Sequence, residues 1–583
     1  MPRDHPETAF LGVERSFTGR RWTGPGLEAR RMAEAMAQGT GLPDPVCGVL
    51  ASRGVEPAGA AAYLAPKLRD LLPDPRGLRD MERAAERLVR AARRGERVAV
   101  FADYDVDGAT SAALLIDWFA AQGRSVTLYV PDRIAEGYGP NAPAVARLSS
   151  APDLLVCVDC GTLAHEALAA AAGIDVVVLD HHLGGETLPE VHAVVNPNRQ
   201  DEDGALGHLC AAGVVFLALV EANRQMRGTG AQGPDLMGML DLVALATVAD
   251  VAPLRGVNRA FVRAGLQVMR ARARPGLVAL AEAARLEGAP VSHHLGFVLG
   301  PRINAGGRVG RADLGARLLV CRDPAEAGAI AARLEEVNAR RRDIEAAVRD
   351  AALAQAEARS PVAWAAGAGW HPGVVGIVAG RVARLTGRPS VVLGLEGGVA
   401  KGSGRSVPGI DLGRAVQRLA REGLLLTGGG HEMAAGLTAR EERLEEAMAR
   451  LGELLARQGA GGGGPRALAV DGLLMPGAAT VELCEALEAA GPYGEGAPAP
   501  RFACPSVAIH HVRRMGESHL KVQFSDGLGP QREAVAFGAY DGPLGPAVEN
   551  HGGARLHLAG RVEINQWRGR RTVQFRLSDA APA

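Results

Sequence analysis

Val98-Ala-Val-Phe-Ala-Asp-Tyr-Asp-Val-Asp-Gly-Ala-Thr-Ser111 is the stretch of sequence that decides both the fold and the chemistry of this chain. It begins with a short apolar run, which predicts a buried strand, and then places Asp103, Asp105 and Asp107 at alternate positions. Alternate residues of an extended backbone share one face, and the Gly-Ala-Thr-Ser that follows can open a helix. The stretch therefore predicts three carboxylates gathered where a strand gives way to a helix.

Three further segments end in acidic or imidazole side chains: Val158-Asp159-Cys-Gly, Asp180-His181-His182 and Thr247-Val-Ala-Asp250. The first two directly follow strand-like runs at 154–158 and 176–179, so we expect all these side chains along one edge of a parallel sheet, where open α/β sheets bind their ligands. Carboxylates this close repel one another unless cations lie among them, and an oxygen-rich site with imidazoles suits Mn²⁺ or Mg²⁺. The four segments together predict a two-metal hydrolytic centre, with Asp159 between the cations.

Each segment also has a plainer interpretation when it is taken alone. The three aspartates could form a solvated turn, although an EF-hand is excluded because neither the glutamate at position 12 nor a flanking helix pair is present. Cys157 and Cys160 have the spacing of a redox motif, but within a strand they would lie on opposite faces. His181-His182 could be a surface turn, and Asp250 could simply end a helix. The combination of the four segments favours catalysis.

The domain organisation follows from changes of pattern along the 583 residues. Strand-like runs alternate with Ala-rich stretches from about 97 to 255, which is typical of βαβ units. Few helix breakers occur between 323 and 358, and short β-type runs beyond 466 indicate a small barrel of the oligonucleotide-binding (OB) type. The predicted parts are an N-terminal helical lead-in (1–95), a catalytic α/β domain (96–322), a connecting long helix (323–358), a second α/β domain (359–457), a Gly-rich linker (458–465) and an OB-type β-barrel (466–583).

Composition limits the functional classes. The formal net charge is zero, so any contact with nucleic acid must come from a local groove rather than from the field of the whole molecule. The seven cysteines are scattered and no secretory segment is recognisable at the N-terminus, which favours a reduced, cytoplasmic protein. Acidic residues interrupt the apolar runs, so we expect no membrane span.

The four segments resemble the DHH phosphoesterase superfamily and, within it, the RecJ family of single-strand-specific 5′→3′ exonucleases. The resemblance continues beyond them through five further motifs: Pro131-Asp-Arg133, Gly300-Pro-Arg-Ile-Asn-Ala-Gly-Gly-Arg308, Gly402-Ser-Gly-Arg-Ser406, Thr427-Gly-Gly-Gly-His431 and Trp567-Arg-Gly-Arg-Arg571. It implies an α/β fold in which a parallel-sheet DHH domain is joined by a long helix to a DHH-associated α/β domain, with a C-terminal OB-type β-barrel.

The resemblance also implies roles for the residues around the reacting bond. The family's metal ligands fall on Asp105, Asp107, Asp159, His181 and Asp250. Asp159 bridges both ions, while Asp103 and His182 orient ligands or substrate. Arg302, Asn304 and Arg308 are implied to hold the scissile phosphate and the long helix against the site. Surface arginines beside a helix-capping asparagine are the alternative for these last three.

Substrate contacts are implied by three of the motifs. The small residues, hydroxyls and guanidinium of the Ser403–Ser406 segment suit a terminal phosphate, and with Arg133 they resemble the family's pocket for the 5′ end. The glycines before His431 could form a turn whose N–H groups approach phosphate, or a tight strand-to-helix connection. Trp567, with Arg568 and the next arginines, offers a stacking face or a plain surface β-hairpin. The implied substrate-binding residues are Arg133, Ser403, Arg405, Ser406, Gly429, Gly430, His431, Trp567 and Arg570.

The implied function is a two-metal phosphodiesterase that degrades single-stranded DNA from its 5′ end to mononucleotides in DNA repair and recombination. Two Mn²⁺ or Mg²⁺ ions would serve as cofactors, with single-stranded DNA, a single-strand binding protein and a helicase as partners and no membrane. The alternatives are an oligoribonuclease or phosphoadenosine phosphatase of the same superfamily, against which the additional C-terminal domain argues, and a non-catalytic replication scaffold of DHH ancestry, against which the complete ligand set argues. Polarity rests on the resemblance alone.

Overall fold

The structure is a computed structural model that describes residues 8–133, 136–137, 139–149, 152–171, 173–356, 358–461, 466–567 and 569–583, with only the backbone at Ser149 and Trp567. Residues 462–465 of the predicted linker, Arg568 and the Trp567 side chain therefore lie outside the described residues. Among those described, no helix combines the length and the apolar character needed to cross a membrane.

The strands, in chain order, are β1 (Arg21–Thr23), β2 (Val98–Ala102), β3 (Val126–Tyr129), β4 (Leu154–Val158), β5 (Asp175–Leu179), β6 (Ala193–Val195), β7 (Ala363–Ala368), β8 (Ser390–Glu396), β9 (Val399–Arg405), β10 (Thr427–His431), β11 (Ala434–Arg440), β12 (Ala467–Ala469), β13 (Gly472–Leu473), β14 (Phe502–Met515), β15 (His519–Ser525), β16 (Arg532–Ala536), β17 (Leu556–Trp567) and β18 (Arg570–Pro582).

The helices are α1 (Leu27–Thr40), α2 (Asp44–Ala51), α3 (Ala60–Leu64), α4 (Leu68–Leu71), α5 (Met81–Arg94), α6 (Val106–Ala120), α7 (Ala142–Ser149), α8 (His165–Ala169), α9 (Ala211–Gly228), α10 (Leu240–Ala249), α11 (Gly256–Arg270), α12 (Pro275–Ala283), α13 (Ser292–His294), α14 (Gly300–Val309), α15 (Leu314–Val320), α16 (Pro324–Ala356), α17 (Pro372–Thr386), α18 (Leu412–Arg421), α19 (Leu444–Ala456), α20 (Val481–Ala489) and α21 (Leu544–Glu549). A π-helical turn, Leu295–Leu299, connects α13 to α14.

The chain forms two compact units. The larger unit comprises Pro73–Pro253 and Phe261–Gly463, and the smaller unit comprises Met1–Leu72, Leu254–Ala260 and Gly464–Ala583. The segment predicted as one helical lead-in is therefore divided: α1 to α4 belong to the smaller unit and α5 belongs to the larger unit.

A five-stranded parallel sheet positions the acidic segments of the larger unit. Its strand order is β3-β2-β4-β5-β6, and every residue of β2 and β4 is buried, as expected for a parallel sheet covered on both faces. The chain runs from β2 outward to β3 and then returns to β4 on the other side of β2. The carboxyl ends of β2 and β4 thus flank the topological switch point, where such sheets bind ligands.

The larger unit also contains the long helix and a second sheet. Helix α16 is 33 residues long, which corresponds to about 50 Å at 1.5 Å per residue. The second sheet has the order β10-β11-β9-β8-β7, in which only β7 and β8 pair in parallel. Glu345 of α16 accepts from Arg341 of its own helix and forms an ion pair with Arg381 of α17. The ion pair between the buried Glu345 and the half-exposed Arg381 thus joins the long helix to α17.

A closed barrel forms the core of the smaller unit. Strands β14, β15, β16, β18 and β17 follow one another, and the pairing of β14 with β17 closes the ring. Five strands closed in this manner are the arrangement of an OB fold. The buried Trp22 indole, on β1, donates to the Asp579 carboxylate on β18 at 3.0 Å. This bond ties the N-terminal strand to the barrel.

Candidate metal centre

The four acidic segments converge in space. His181 Nε2, just beyond β5, lies 3.2 Å from Asp159 Oδ1, 3.7 Å from Asp107 Oδ2 and 3.9 Å from Asp250 Oδ2. Asp250 caps the C-terminal end of α10. Side chains that are up to 143 positions apart in the sequence therefore meet at one edge of the parallel sheet.

Three overlapping sets of side chains could each hold a cation: Asp107, His181 and Asp250; Asp103, Asp105 and Asp159; and Asp159, His181 and His182. Within each set the ligand atoms lie within 4.8 Å of one another. The first two sets contain all five residues predicted as metal ligands. Asp103 and His182, predicted to orient ligands or substrate, lie equally close, so the structure brings all seven side chains together without separating these two roles.

Backbone N–H groups hold two of the aspartates. Asp105 is the N-cap of α6, and its Oδ1 accepts from the N–H groups of Asp107 at 2.9 Å and Gly108 at 3.2 Å. The carboxylate of Asp107 accepts from the first two N–H groups of α9, at 2.6 and 2.8 Å. Both arrangements stabilise a negative charge at a helix N-terminus. A Cβ on Gly108 would lie 2.3 Å from the Asp103 carbonyl oxygen, so only glycine fits there.

Asp180 orients His182 from behind. Burial acts to raise the pKa of Asp180, but hydrogen bonds from His182 and Thr162 outweigh it and hold the pKa well below its ordinary range. His182 Nδ1 lies 2.8 Å from Asp180 Oδ1, and the Thr162 hydroxyl donates to Asp180 Oδ2 at 2.7 Å. Burial lowers the pKa of His182, whereas the bond to Asp180 raises it, and the net change is upward. An ionised Asp180 thus fixes one ring nitrogen of His182.

Two asparagines complete this support and were not found by sequence reasoning. Asn196 donates to the Thr162 hydroxyl at 2.8 Å and to the His182 carbonyl at 2.7 Å, and Asn198 donates to the His181 carbonyl at 2.6 Å. Their only signal in the sequence is the Asn-Pro-Asn that follows the apolar run of β6. By analogy with the outer shells of metal sites, these contacts set the direction of the imidazoles.

The electrostatics of the cluster favour the binding of cations. Burial, and then the neighbouring carboxylates, raise the pKa of Asp250 to about 9. The same two causes raise the pKa of Asp159 and of Asp103 well above the ordinary range, and burial is the main cause of the raised pKa of Asp107. Within the described residues the buried Oδ1 of Asp103 has no hydrogen-bond partner. Carboxylate oxygens that are buried, crowded and supplemented by imidazole fit hard divalent ions such as Mn²⁺ and Mg²⁺.

A cavity of about 220 Å³ opens beside the cluster, lined by Asp103, Tyr104, Asp105, Arg133, His182, Asn304 and Arg308. The guanidinium groups at this cavity are buried and repel one another. Burial, and then the nearby charge of Arg133, lower the pKa of Arg308 to about 10 and also lower the pKa of Arg405. Arg133 lies over the ring of Tyr104, 5.1 Å from its centroid. Two guanidinium groups line the cavity, and that of Arg405 lies close enough to Arg133 to be repelled by it, which makes the cavity suited to phosphate.

The three predicted phosphate-contacting residues of α14 have different surroundings. Arg302 donates to the Val298 carbonyl at 2.7 Å and forms an ion pair with Glu335 of α16, so it holds the long helix and does not line the cavity. Asn304 Oδ1 accepts from the N–H of Val106, between two of the aspartates, at 2.9 Å. Arg308 lines the cavity and donates to the Gly373 carbonyl of α17 at 3.2 Å.

The predicted pocket for the 5′ end lies partly on β9. A Cβ on Gly376 of α17 would lie 3.3 Å from Ser403 Oγ and 3.4 Å from Arg405 Nη2, so the glycine lets the helix approach both groups. Arg405 also donates to the Gly404 carbonyl at 2.9 Å. Ser406 is buried and donates to the Ile410 carbonyl at 2.6 Å, so its hydroxyl is already bonded to the backbone.

The predicted turn at Gly429, Gly430 and His431 is wrong as secondary structure. These residues belong to β10, an edge strand that pairs antiparallel with β11. The sheet needs glycine there because a Cβ on Gly430 would lie 2.3 Å from the Ala434 carbonyl oxygen, whereas Gly429 has open space beside it. The His431 side chain is exposed. The segment thus exposes backbone along a sheet edge instead of around a turn.

The C-terminal motif forms a β-hairpin. Trp567 at the end of β17 pairs with Arg570 at the start of β18, and Arg570 is exposed. Arg571 forms an ion pair with Glu485 at 2.7 Å. The hairpin that was the plain alternative is therefore present, and the stacking role of the Trp567 ring remains a prediction.

Asn304→Ala is expected to lower the metal-dependent hydrolytic activity of the cluster by about 10- to 100-fold, because the Asn304 amide orients the loop that carries Asp105 and Asp107, and such supporting contacts have effects of this size. Activity should be measured against Mn²⁺ concentration, since a loosened ligand loop shifts the Mn²⁺ dependence to higher concentration. Asn304→Asp, which keeps an acceptor oxygen, is the matched control and should retain more activity. Equal activity of Asn304→Ala and the unmodified enzyme at every Mn²⁺ concentration would contradict this role.

Comparison with known proteins gives a consistent result. The DHH family N-terminal domain matches residues 97–247, the DHHA1 domain matches 359–457 and the RecJ OB domain matches 470–579. The single-stranded-DNA-specific exonuclease RecJ of Dickeya dadantii is 37% identical over 570 residues, covering 93% of this chain and 97% of that protein. The corresponding protein of Escherichia coli K12 is 35% identical over 586 residues, covering 95% and 99%.

Solved structures agree with these sequence relationships. The crystal structure of RecJ from Thermus thermophilus in complex with Mn²⁺ aligns with a TM-score of 0.80 at 31% identity, covering 96% of this chain and 79% of that chain. The complex of the same protein with Mg²⁺ aligns with a TM-score of 0.73 at 30% identity, covering 96% and 78%.

Proposed function

Because this chain belongs to the RecJ family of single-stranded-DNA-specific exonucleases, we propose that its acidic cluster hydrolyses single-stranded DNA stepwise from the 5′ end and releases mononucleotides. The predicted family, the α/β fold with its C-terminal OB domain and the use of Mn²⁺ or Mg²⁺ are confirmed. The enzyme is accordingly a metal-dependent nuclease of the DHH type. Polarity, product size and the role of each residue are the parts that we add.

The observation that carries the proposal is the position of the cavity relative to the acidic cluster. Asp103, Asp105 and His182 belong to both, so a scissile phosphate held by Arg308 lies directly beside the carboxylates, with Arg133 in the same cavity for the terminal phosphate. When bound, a pair of divalent ions supplies an activated water and charge stabilisation for in-line displacement at phosphorus. A terminal phosphate anchored at one side of the cluster presents the next phosphodiester to it, which supports removal of one nucleotide at a time.

We propose the following division of labour. The metal-holding side chains are Asp105, Asp107, Asp159, His181 and Asp250. Asp103 and His182 orient water or substrate, and Asn304 fixes the aspartate loop. Arg308 holds the scissile phosphate, while Arg302 keeps α16 in place. Arg133, Ser403 and Arg405 bind the terminal phosphate, with support from Ser406 and the β10 backbone at Gly429, Gly430 and His431. Trp567 and Arg570 contact single strand in the barrel.

We also propose that the enzyme acts in DNA repair and recombination in the cytoplasm, with a single-strand binding protein and a helicase as partners. A helicase supplies the unpaired strand that such a nuclease consumes. All seven cysteines, each within the described part of the chain, are buried thiols, which supports a reducing compartment.

The polarity is tested by digesting a long single strand labelled at either end, beside the matching blunt duplex, with Mn²⁺ and with a chelator. We expect release of the 5′ label first, mononucleotide products, little attack on the duplex and no reaction with the chelator. A strand that carries a 5′ hydroxyl instead of a 5′ phosphate is the matched control for the terminal pocket and should react more slowly. First release of the 3′ label, or equal attack on the duplex, would refute the proposal.

A further inference from the structure

Two exposed apolar side chains belong to segments that adjoin the metal-holding residues in the sequence or by backbone packing. Val251 directly follows Asp250 and is 62% exposed, and Phe297, in the π turn before α14, is 73% exposed. Isolated exposed apolar residues are common on protein surfaces. These two differ because each is presented by an irregular backbone next to the same site.

Both irregularities oppose ordinary backbone preferences. Val251 has φ of 60°, and the left-handed region is a genuine outlier for a β-branched residue. Phe297 lies in a π-helical turn, a rare conformation that frequently marks functional sites. Irregular backbone in both of these segments favours a role for the side chains that they expose.

Close packing places the π turn against the metal-holding segments. A Cβ on Gly296 would lie 3.3 Å from Val248 Cγ1, and one on Gly300 would lie 3.1 Å from Ala249 Cβ, so the turn rests on the last turn of α10, just before Asp250. The same Cβ on Gly300 would lie 3.9 Å from Val106, between Asp105 and Asp107. The ring of His293 lies 4.7 Å from that of Phe297 at 32°, which extends the aromatic surface.

We propose that Phe297, extended by His293 and flanked by Val251, is the seat for the nucleobase on the 3′ side of the scissile phosphate. This inference rests on the exonuclease function proposed above. The reacting phosphate must lie at the carboxylate cluster, so the adjoining base lies within reach of residues that border the cluster. The segment that carries Phe297 packs against the last turn of α10, which ends at Asp250, and a nucleobase is the apolar part of the polymer that the proposed function acts on.

The chemistry of the seat matches what the enzyme must accept and reject. Aromatic and aliphatic faces stack against any base without reading its hydrogen-bonding edge, which suits removal of every nucleotide in turn. A paired base has both faces covered by its neighbours in the duplex and must be unpaired and unstacked before it can occupy the seat. The seat therefore contributes to the preference for single strands.

The test uses the full chain with Mn²⁺ and a 5′-phosphorylated oligothymidylate, beside the same strand with one abasic residue on the 3′ side of the first scissile bond. We expect Phe297→Ala to lower kcat/KM about tenfold on the intact strand, the order of magnitude for loss of one base stack. On the abasic strand Phe297→Ala and the unmodified enzyme should be equal. Phe297→Trp should retain activity. Leu385→Ala, which removes a side chain that is 58% exposed near the end of α17, is the matched control and should have no effect.

A binding measurement separates this inference from the proposed function. 2-Aminopurine at the same position should be quenched on binding to the unmodified chain and to Phe297→Trp, but less by Phe297→Ala, whether or not cleavage occurs. The inference would be overturned if Phe297→Ala kept full activity and unchanged quenching. It would also be overturned if Phe297→Ala lowered kcat/KM on the abasic strand as much as on the intact strand. Quenching without any cleavage would support the seat and refute the nuclease function alone. Unchanged thermal unfolding of each variant shows that its fold is intact.

Discussion

Asp159→Asn is expected to abolish cleavage of single-stranded DNA, by on the order of 10³-fold or more, while leaving binding of the strand largely intact. Asp159 belongs to two of the sets that could hold a cation, one with Asp103 and Asp105 and the other with His181 and His182. Its charge therefore contributes to both halves of the cluster. An amide keeps the shape but loses the charge that holds cations at the centre. Cleavage should be measured with Mn²⁺ in excess, and binding by anisotropy of a labelled strand.

The control comes from the opposite end of the same strand. Asp153 lies directly before β4, as Asp159 lies directly after it, and it pairs with Arg97 at 3.0 Å on the surface. Asp153→Asn therefore removes one carboxylate from the far end of β4 and leaves the cluster unchanged. It should cleave normally. If Asp159→Asn retained cleavage but lost binding, the metal-holding role would be wrong, and the cluster would have to be interpreted as a binding surface.

The second large effect is expected on removal of the divalent ions. A chelator should stop cleavage and lower the thermal stability of the protein. The loss of stability should be larger at about pH 8 than at about pH 5. In the metal-free protein, burial and neighbouring carboxylates raise the pKa of Asp250 to about 9 and raise those of Asp107 and Asp159. The folded state therefore holds protons that the unfolded chain releases near pH 4. Stability contributed by these groups is present at low pH and is lost as the pH rises through the folded pKa values.

Bound cations remove this penalty because they stabilise the ionised carboxylates. At 100 times its dissociation constant an ion adds about 2.7 kcal/mol, so the melting temperatures with and without Mn²⁺ should diverge as the pH rises. Matching the ionic strength with Na⁺ controls for screening. An equal Mn²⁺ effect at both pH values would show that the carboxylates are ionised without metal and that the cluster is less crowded than its geometry indicates.

Much of the site could be predicted from the sequence because the parallel sheet does the assembling. The runs that end before Asp103, Asp159 and Asp180 are short and uniformly apolar, which identifies them as strands, and parallel strands bring their carboxyl ends to one edge. Asp250 was harder because it ends a helix, and only its position among the other segments indicated a role. The acidic residues at the edge of the sheet could thus be predicted from local pattern. The contribution of Asp250, at the end of α10, could not.

The remaining features depend on tertiary contacts that leave little trace in the sequence. The glycines before His431 indicated a turn because glycine is common in turns, but in β10 they are required by close approach of the neighbouring strand. Asn196 and Asn198 act only after β6 brings them to the two histidines. No local pattern indicated that residues 1–72 belong with the barrel, since that pairing spans almost the whole chain.

The pairing of β1 with β12 has a consequence for synthesis on the ribosome. Arg21 and Trp22 align with Ala467 and Leu468, each 446 residues later, which at 5–20 residues per second corresponds to a delay of roughly 20–90 s. During that interval the nascent N-terminal segment has no partner strand, while the larger unit can fold. The segment that carries β1 is thus made long before its sheet can be completed, and keeping the apolar residues of α2 in solution during translation is a natural task for a chaperone.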